Sequence, residues 1–190
     1  NMQVISSLLN LQSHGAEDER LVRLFEESQN RVRAMALIHE ILYENSNLAR
    51  IDLGEYVSKL ATSLIRMYGT DSGRVDLNIN ASGVTLEMDD TMPCGLVINE
   101  LLSNSLKYAF PDGKNGEISI EASRDDTGPL VLKVSDDGIG LPDEVDYRNT
   151  ETMGMRLVTG LVESQLGGRV SLDRTHGTCF TISFEPTEQA

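Results

Sequence analysis

The sequence predicts an α+β protein. An N-terminal two-helix hairpin, completed to a four-helix bundle when two copies pair, precedes an α/β sandwich in which one mixed sheet is covered on one face by helices. Three observations lead there. Apolar residues recur at alternating four- and three-residue spacings between Leu21 and Ser46. Short alternating strand-like runs from Arg74 onward come with helical stretches between them. A long helix with an unusual polar face lies between Pro93 and Pro111.

The elements follow in order. The stretch from Asn1 to Gln12 is helical in pattern, with Val4, Leu8 and Leu11 on one stripe, and Ser13-His14-Gly15 supplies a turn. The second helix carries Leu21, Phe25, Ser28, Val32, Met35, His39, Leu42 and Ser46 at bundle spacing. Two helices expose more apolar stripe than they bury on each other, so residues 1–50 are expected to form a homodimer. The alternative is a hairpin packed on the rest of its own chain. The second domain, 51–190, opens with a helix to about Tyr68 capped by Asp52. Strands are expected at Arg74–Ile79 and Val84–Met88. The central helix runs from Pro93, which suits a first turn, to Pro111, which disfavours helical geometry just before it. Gly116–Ala122 and Leu130–Ser135 read as a hairpin. A helix from about Thr152 to Leu166 ends at Gly167-Gly168, and the last strands are Arg169–Leu172 and Cys179–Phe184.

Composition narrows the partners. Sixteen Lys and Arg against 30 Asp and Glu give a net charge of −14, which disfavours nucleic acid and anionic membrane, because both reward clustered positive charge. Cys94 and Cys179 lack metal-ligand spacing and read as free thiols of a reducing, cytoplasmic compartment. No apolar run reaches membrane-spanning length, and no signal peptide is visible.

Chemistry enters with the central helix. Steps of 100° gather Asn99, Glu100, Ser103, Asn104 and Lys107 on one arc, opposite Val97, Ile98, Leu101, Leu102 and Leu106. Asparagine is a mediocre helix former, so two of them in mid-helix call for a reason. Glu100 and Asn104, one turn apart, offer a carboxylate and an amide oxygen to one volume, with Lys107 a turn further. That set suits hydrated Mg²⁺ beside a polyphosphate, although an ordinary solvated face would show the same spacing. Asp136-Asp137-Gly138-Ile139-Gly140 follows a strand. Its glycines permit a tight turn and close approach to a ligand, and Asp136 is placed to accept from an exocyclic amine; an acidic hairpin turn is the alternative. Gly154 falls at a helix start, where free N–H groups favour phosphate. Gly177-Thr178 enters the last strand with a hydroxyl available.

Taken together, these stretches are specific. Asn99 to Tyr108 resembles the N box, Asp136 to Gly140 the first glycine box, Gly154 to Val158 the second and Gly177-Thr178 the last, of the GHKL ATP-binding superfamily with its Bergerat fold. Gln3 to Gln12 and Arg33 to Glu40 resemble the dimerisation helices of the HWE-like, HisKA-related class of sensor histidine kinases. The resemblance covers nearly the whole chain. It implies ATP and Mg²⁺ as cofactors, with Asn104 on the metal and Glu100, Asn104 and Lys107 as the catalytic set. Asn104, Lys107, Tyr108, Asp136, Gly138, Gly140, Gly154, Met155, Arg156, Leu157 and Thr178 are implied around the nucleotide, Asp136 reading adenine and Leu141 to Met153 forming a mobile lid. Thr152 stands where many members carry glycine.

The implied activity is that of a two-component sensor kinase core, moving the γ-phosphoryl of Mg-ATP to a histidine and then to an aspartate of a response-regulator receiver domain. An upstream sensor domain is implied in the full-length protein. The family's acceptor histidine lies about one turn before the stretch that begins this chain, so the fragment is expected not to phosphorylate itself. His14, His39 and His176 read as structural, with His39 on the bundle seam. The rival readings are a nucleotide-dependent regulatory dimer without kinase activity and a GHKL ATPase.

Overall fold

In the computed structural model, which describes residues 5, 7–9, 11, 18–44, 50–68, 74–125, 128–149 and 153–187, the second helix forms as α1, Glu19–Glu44. The chain divides into two compact units, Asn1–Leu48 and Ala49–Ala190. In the first unit the described residues of the leading stretch are helical, and Ile5, Leu8 and Leu11 are exposed. Along α1, Gln29, Ala34 and Ile38 are buried, whereas Leu21, Leu24, Met35 and His39 are exposed and Phe25, Ser28 and Val32 half-buried. Much of the predicted seam is thus open to solvent in the single chain. His14 and Ser46 lie outside the described residues.

The second unit begins with β1 (Ile51–Asp52) and α2 (Leu53–Tyr68). Asp52 caps α2 as expected, its Oδ1 accepting the Glu55 N–H at 2.8 Å. Leu53, Tyr56, Val57, Leu60, Ala61 and Leu64 recur at helical spacing and are all buried. β1 pairs antiparallel with β3 (Thr85–Leu86), a two-residue ribbon too short to show alternation in the sequence.

The main sheet is built from β2 (Val75–Asn80), β4 (Gly116–Arg124), β5 (Leu130–Asp136), β6 (Arg169–Asp173) and β7 (Thr178–Phe184), in the order β2-β4-β5-β7-β6. β2 and β4 are parallel and the other pairs antiparallel, so the sheet is mixed. The parallel pair needs a crossover, and α3 (Met88–Asn104) supplies it. Ile118, Ile120 and Ala122 of β4, Leu130, Leu132 and Val134 of β5, and Phe180, Ile182 and Phe184 of β7 alternate onto one buried face. Asp136 occupies the next inward position of β5, which sets a carboxylate on the core side of the sheet.

The central helix departs from expectation at both ends. It starts at Met88, so β3 is shorter than the predicted strand and Pro93 lies inside the helix rather than in its first turn. Proline there removes only the bond to the Asp89 carbonyl, and the turn before it is held by other means. Thr91 donates to the Glu87 carbonyl from its N–H at 2.9 Å and its hydroxyl at 2.7 Å, and Asp90 accepts the Thr187 N–H at 2.7 Å. At the far end the α-helix widens into a π-helical turn, Ser105–Ala109, and Phe110 (φ −123°, ψ 65°) leaves helical geometry as Pro111 requires. The helix expected at 152–166 is likewise α4 (Met153–Gly160) followed by a π-helical turn, Leu161–Gln165.

α2 and α3 touch closely at Gly95, where an added Cβ would fall 1.7 Å from the Tyr56 hydroxyl. Burial first, then the charge of Asp90, pushes the Cys94 thiol above its ordinary 9.0; burial first, then Cys94, pushes the Tyr56 phenol above its ordinary 10.0. Both groups are held neutral in the fold, so their contribution is complete below the unfolded values and is lost as pH rises past them. The urea midpoint is therefore expected to hold steady up to about pH 8.5 and to fall above about pH 9, with the fall reduced in Cys94→Ala. A midpoint flat to pH 10.5 would contradict the buried neutral pair.

Candidate functional site

The site forms where the end of α3, the turn after β5, the start of β7 and the first turn of α4 converge. Gly138 has no room for a side chain, since a Cβ would sit 2.4 Å from the Ala109 carbonyl oxygen, and the next residue, Ile139, donates its N–H to that oxygen at 3.0 Å. Gly140 has φ +78°, the left-handed geometry that glycine adopts without strain. Asp137 braces the turn from outside, its Oδ1 accepting the Glu117 N–H at 2.7 Å.

This docking fixes Asp136, which is only 5% exposed. Its Oδ2 accepts the Ser105 hydroxyl at 2.7 Å and its Oδ1 accepts the Gly138 N–H at 3.2 Å. Thr178 pairs with Asp136 across β5 and β7, and the preceding Gly177 (φ +77°) passes so close that a Cβ would lie 2.0 Å from the Asp136 carbonyl oxygen. On α3, the Asn104 amide reaches toward the Met155 sulfur at 3.9 Å, tying the α3 end to the first turn of α4, where Gly154, Arg156 and Leu157 also lie.

The polar arc of α3 is the larger revision. Asn99, Glu100 and Ser103 are buried, Asn99 to 1% exposure, so the arc is no solvated face. Asn99 Nδ2 donates to Glu100 Oε1 at 3.4 Å, while Asn99 Oδ1 and Ser103 Oγ find no hydrogen-bond partner among the described residues. Buried oxygens without donors are rare and mark a place for water or ligand. Lys107 Nζ lies 5.6 Å from the centre of the Tyr68 ring, and Tyr108 is exposed. Among the described residues no three His, Cys, Asp or Glu gather as a metal cage.

The stretch expected to be a lid is fastened over its described part. The Tyr147 hydroxyl donates to the Val170 carbonyl at 3.1 Å, its ring meets Phe180 edge-on at 5.8 Å, and Arg174 donates to the Val145 carbonyl at 2.6 Å. Thr152 lies outside the described residues. Sequence reasoning missed Ser105 and Ala109, which carry no signature of their own and matter through the π-helical turn that holds them.

Comparison with known proteins gives the family and the fold. Residues 89–188 match the family described as histidine kinase-, DNA gyrase B-, and HSP90-like ATPase, and residues 1–68 match a family described as histidine kinase. The chain is 27% identical to blue-light-activated histidine kinase 2 of Erythrobacter litoralis, over the whole chain and 55% of the relative. It is 28% identical to the sensor histidine kinase PdtaS of Mycobacterium tuberculosis, over 90% of the chain and 34% of the relative. The chain thus spans about half the length of the first and a third of the second. The solved histidine kinase domain of the Erythrobacter litoralis blue-light activated kinase superposes with a TM-score of 0.74 at 23% identity, covering 97% of this chain and 94% of that one. Among the described residues no helix is long and apolar enough to cross a membrane.

Gly138→Ala tests the docking itself. The added methyl must displace the backbone at Ala109, and a loss of about 1–3 kcal/mol in the denaturant unfolding free energy is expected. An unchanged midpoint would mean that the turn does not seat on α3.

Proposed function

The chain belongs to the histidine kinase-, DNA gyrase B-, and HSP90-like ATPase family, and from that premise we propose that it is the Mg-ATP-binding core of a two-component sensor histidine kinase. The observation that carries this reading is the buried carboxylate of Asp136, held by two donors with no ion pair among the described residues, between the π-helical turn after α3 and the start of β7. A carboxylate so placed accepts the 6-amino group of adenine, and Gly138 and Gly140 let the backbone come close to the base.

The other residues take roles along the nucleotide. The N–H groups of Gly154 and Met155, left free at the start of α4, suit phosphate oxygens, with Arg156 and Leu157 following them in the helix, and Thr178 lies beside Asp136. Lys107 and Tyr108 flank the nucleotide from the π-helical turn. Asn104 and Glu100 offer hard oxygens from one side of α3, which also carries the buried oxygens of Asn99 and Ser103 that have no partner among the described residues. That donor set fits a hydrated Mg²⁺ shared with the phosphates and suits no dedicated protein cage. When bound, the ion neutralises charge on the phosphate oxygens. The chain's own contribution is to orient the nucleotide and hold the γ-phosphoryl for in-line transfer to a histidine, with subsequent passage to an aspartate of a response-regulator receiver domain.

Residues 1–50 serve as the dimerisation hairpin and 51–190 as the catalytic domain. The exposed Leu21, Leu24 and Met35 supply a stripe that a second copy would cover, making a homodimer with a sensor domain elsewhere in the full-length protein, in the cytoplasm. Mass analysis of the full-length gene product after incubation with Mg-ATP is expected to find phosphohistidine. Continuous ATP consumption without it would favour a hydrolase.

In calorimetry, Asn104→Ala is expected to lower Mg-dependent ATP affinity by about 10- to 100-fold with the fold intact, whereas Asp136→Asn weakens ADP and ATP alike. Unchanged affinity in Asn104→Ala would refute the metal assignment. Light scattering is expected to report a dimer that becomes a monomer when Val32 and Met35 are both replaced by Asp, because the charges would be buried unpaired. A monomeric parent chain would exclude the bundle.

A further inference from the structure

We propose that Ser105 is a positioning residue that sets the base selectivity of the site by orienting Asp136, an inference that rests on reading Asp136 as the adenine contact. Ser105 is buried in the π-helical turn, and its hydroxyl donates to Asp136 Oδ2 at 2.7 Å. Gly138 N–H pins the other oxygen at 3.2 Å. Each carboxylate oxygen therefore has one donor from the protein, and the plane of the group is fixed before any ligand arrives.

The consequence lies in proton bookkeeping. A serine hydroxyl has one proton, and here Asp136 receives it, so toward a ligand Ser105 Oγ can only accept. Ser105 and Asp136 together present acceptors alone. A 6-amino purine answers them with a donor at position 6, whereas a 6-oxo purine sets its carbonyl oxygen against them, acceptor facing acceptor, and keeps a donor on that edge only at N1. With alanine at 105 the carboxylate loses a donor, and water entering in its place can donate as well as accept. The 6-oxo base would then be tolerated, and the 6-amino base would lose its preorganised partner.

The test compares ATP with inosine triphosphate, which carries oxygen in place of the 6-amino group, by calorimetry on the parent chain, Ser105→Ala and Ser105→Thr. The parent is expected to prefer ATP. Ser105→Ala is expected to lose about tenfold in ATP affinity and little for the inosine nucleotide, collapsing the ratio, and Ser105→Thr to restore it by returning the hydroxyl. If Ser105→Ala does not fold, Ser105→Cys, with a weaker donor of similar size, carries the same comparison. Equal weakening of both nucleotides, with the ratio kept, would reduce Ser105 to packing and overturn the proposal while leaving Asp136 as the base contact. A parent chain that binds neither nucleotide, or both equally, would remove the reading of Asp136 and this inference with it.

Discussion

The seating of the turn after β5 on the end of α3 is the constraint from which the rest of the site follows. Ala109 offers its carbonyl because the π-helical turn before it leaves that group without a helical successor, and Gly138 is the residue type that lets Ile139 reach it. Once the turn is seated, Asp136 meets Ser105, Gly177 must pass against the Asp136 backbone, and Thr178 enters β7 beside it. Three segments distant in sequence are thereby fixed by one close contact whose tolerance is smaller than a methyl group.

The cost of this arrangement falls on α3. A helix that buries Asn99, Glu100 and Ser103 removes polar groups from water, and two of their oxygens find no donor in the described fold. Burial of that kind is unfavourable by itself and persists in a stable domain when a function needs the groups there. The compensating apolar packing is substantial. Val97, Ile98, Leu101 and Leu102 on the other side of the helix are buried with the α2 stripe and the inward faces of β4, β5 and β7. The site is thus a buried polar corner of an otherwise apolar layer.

Most of this fold was legible in the sequence because its signals are local. The α2 cap at Asp52, the β4–β5 hairpin and the breaks at Gly167-Gly168 rest on neighbouring residues, and the structure has them as expected. Three features were not legible for the same reason. β1 and β3 are too short to alternate, Pro93 sits within a helix because Thr91 and the distant Thr187 hold the turn before it, and a π-helical turn has no composition of its own. The residues expected around the nucleotide follow from the resemblance of their motifs, whereas their mutual geometry depends on Ser105 and Ala109, whose contacts to Asp136 and Ile139 span 31 and 30 residues.

Hydrogen exchange with and without Mg-ADP tests most directly whether these segments make one nucleotide site. The account predicts added protection confined to four stretches, 100–109, 136–140, 153–158 and 177–179, rising together at a single ligand concentration. Protection appearing elsewhere, or in one of the four without the others, would contradict it.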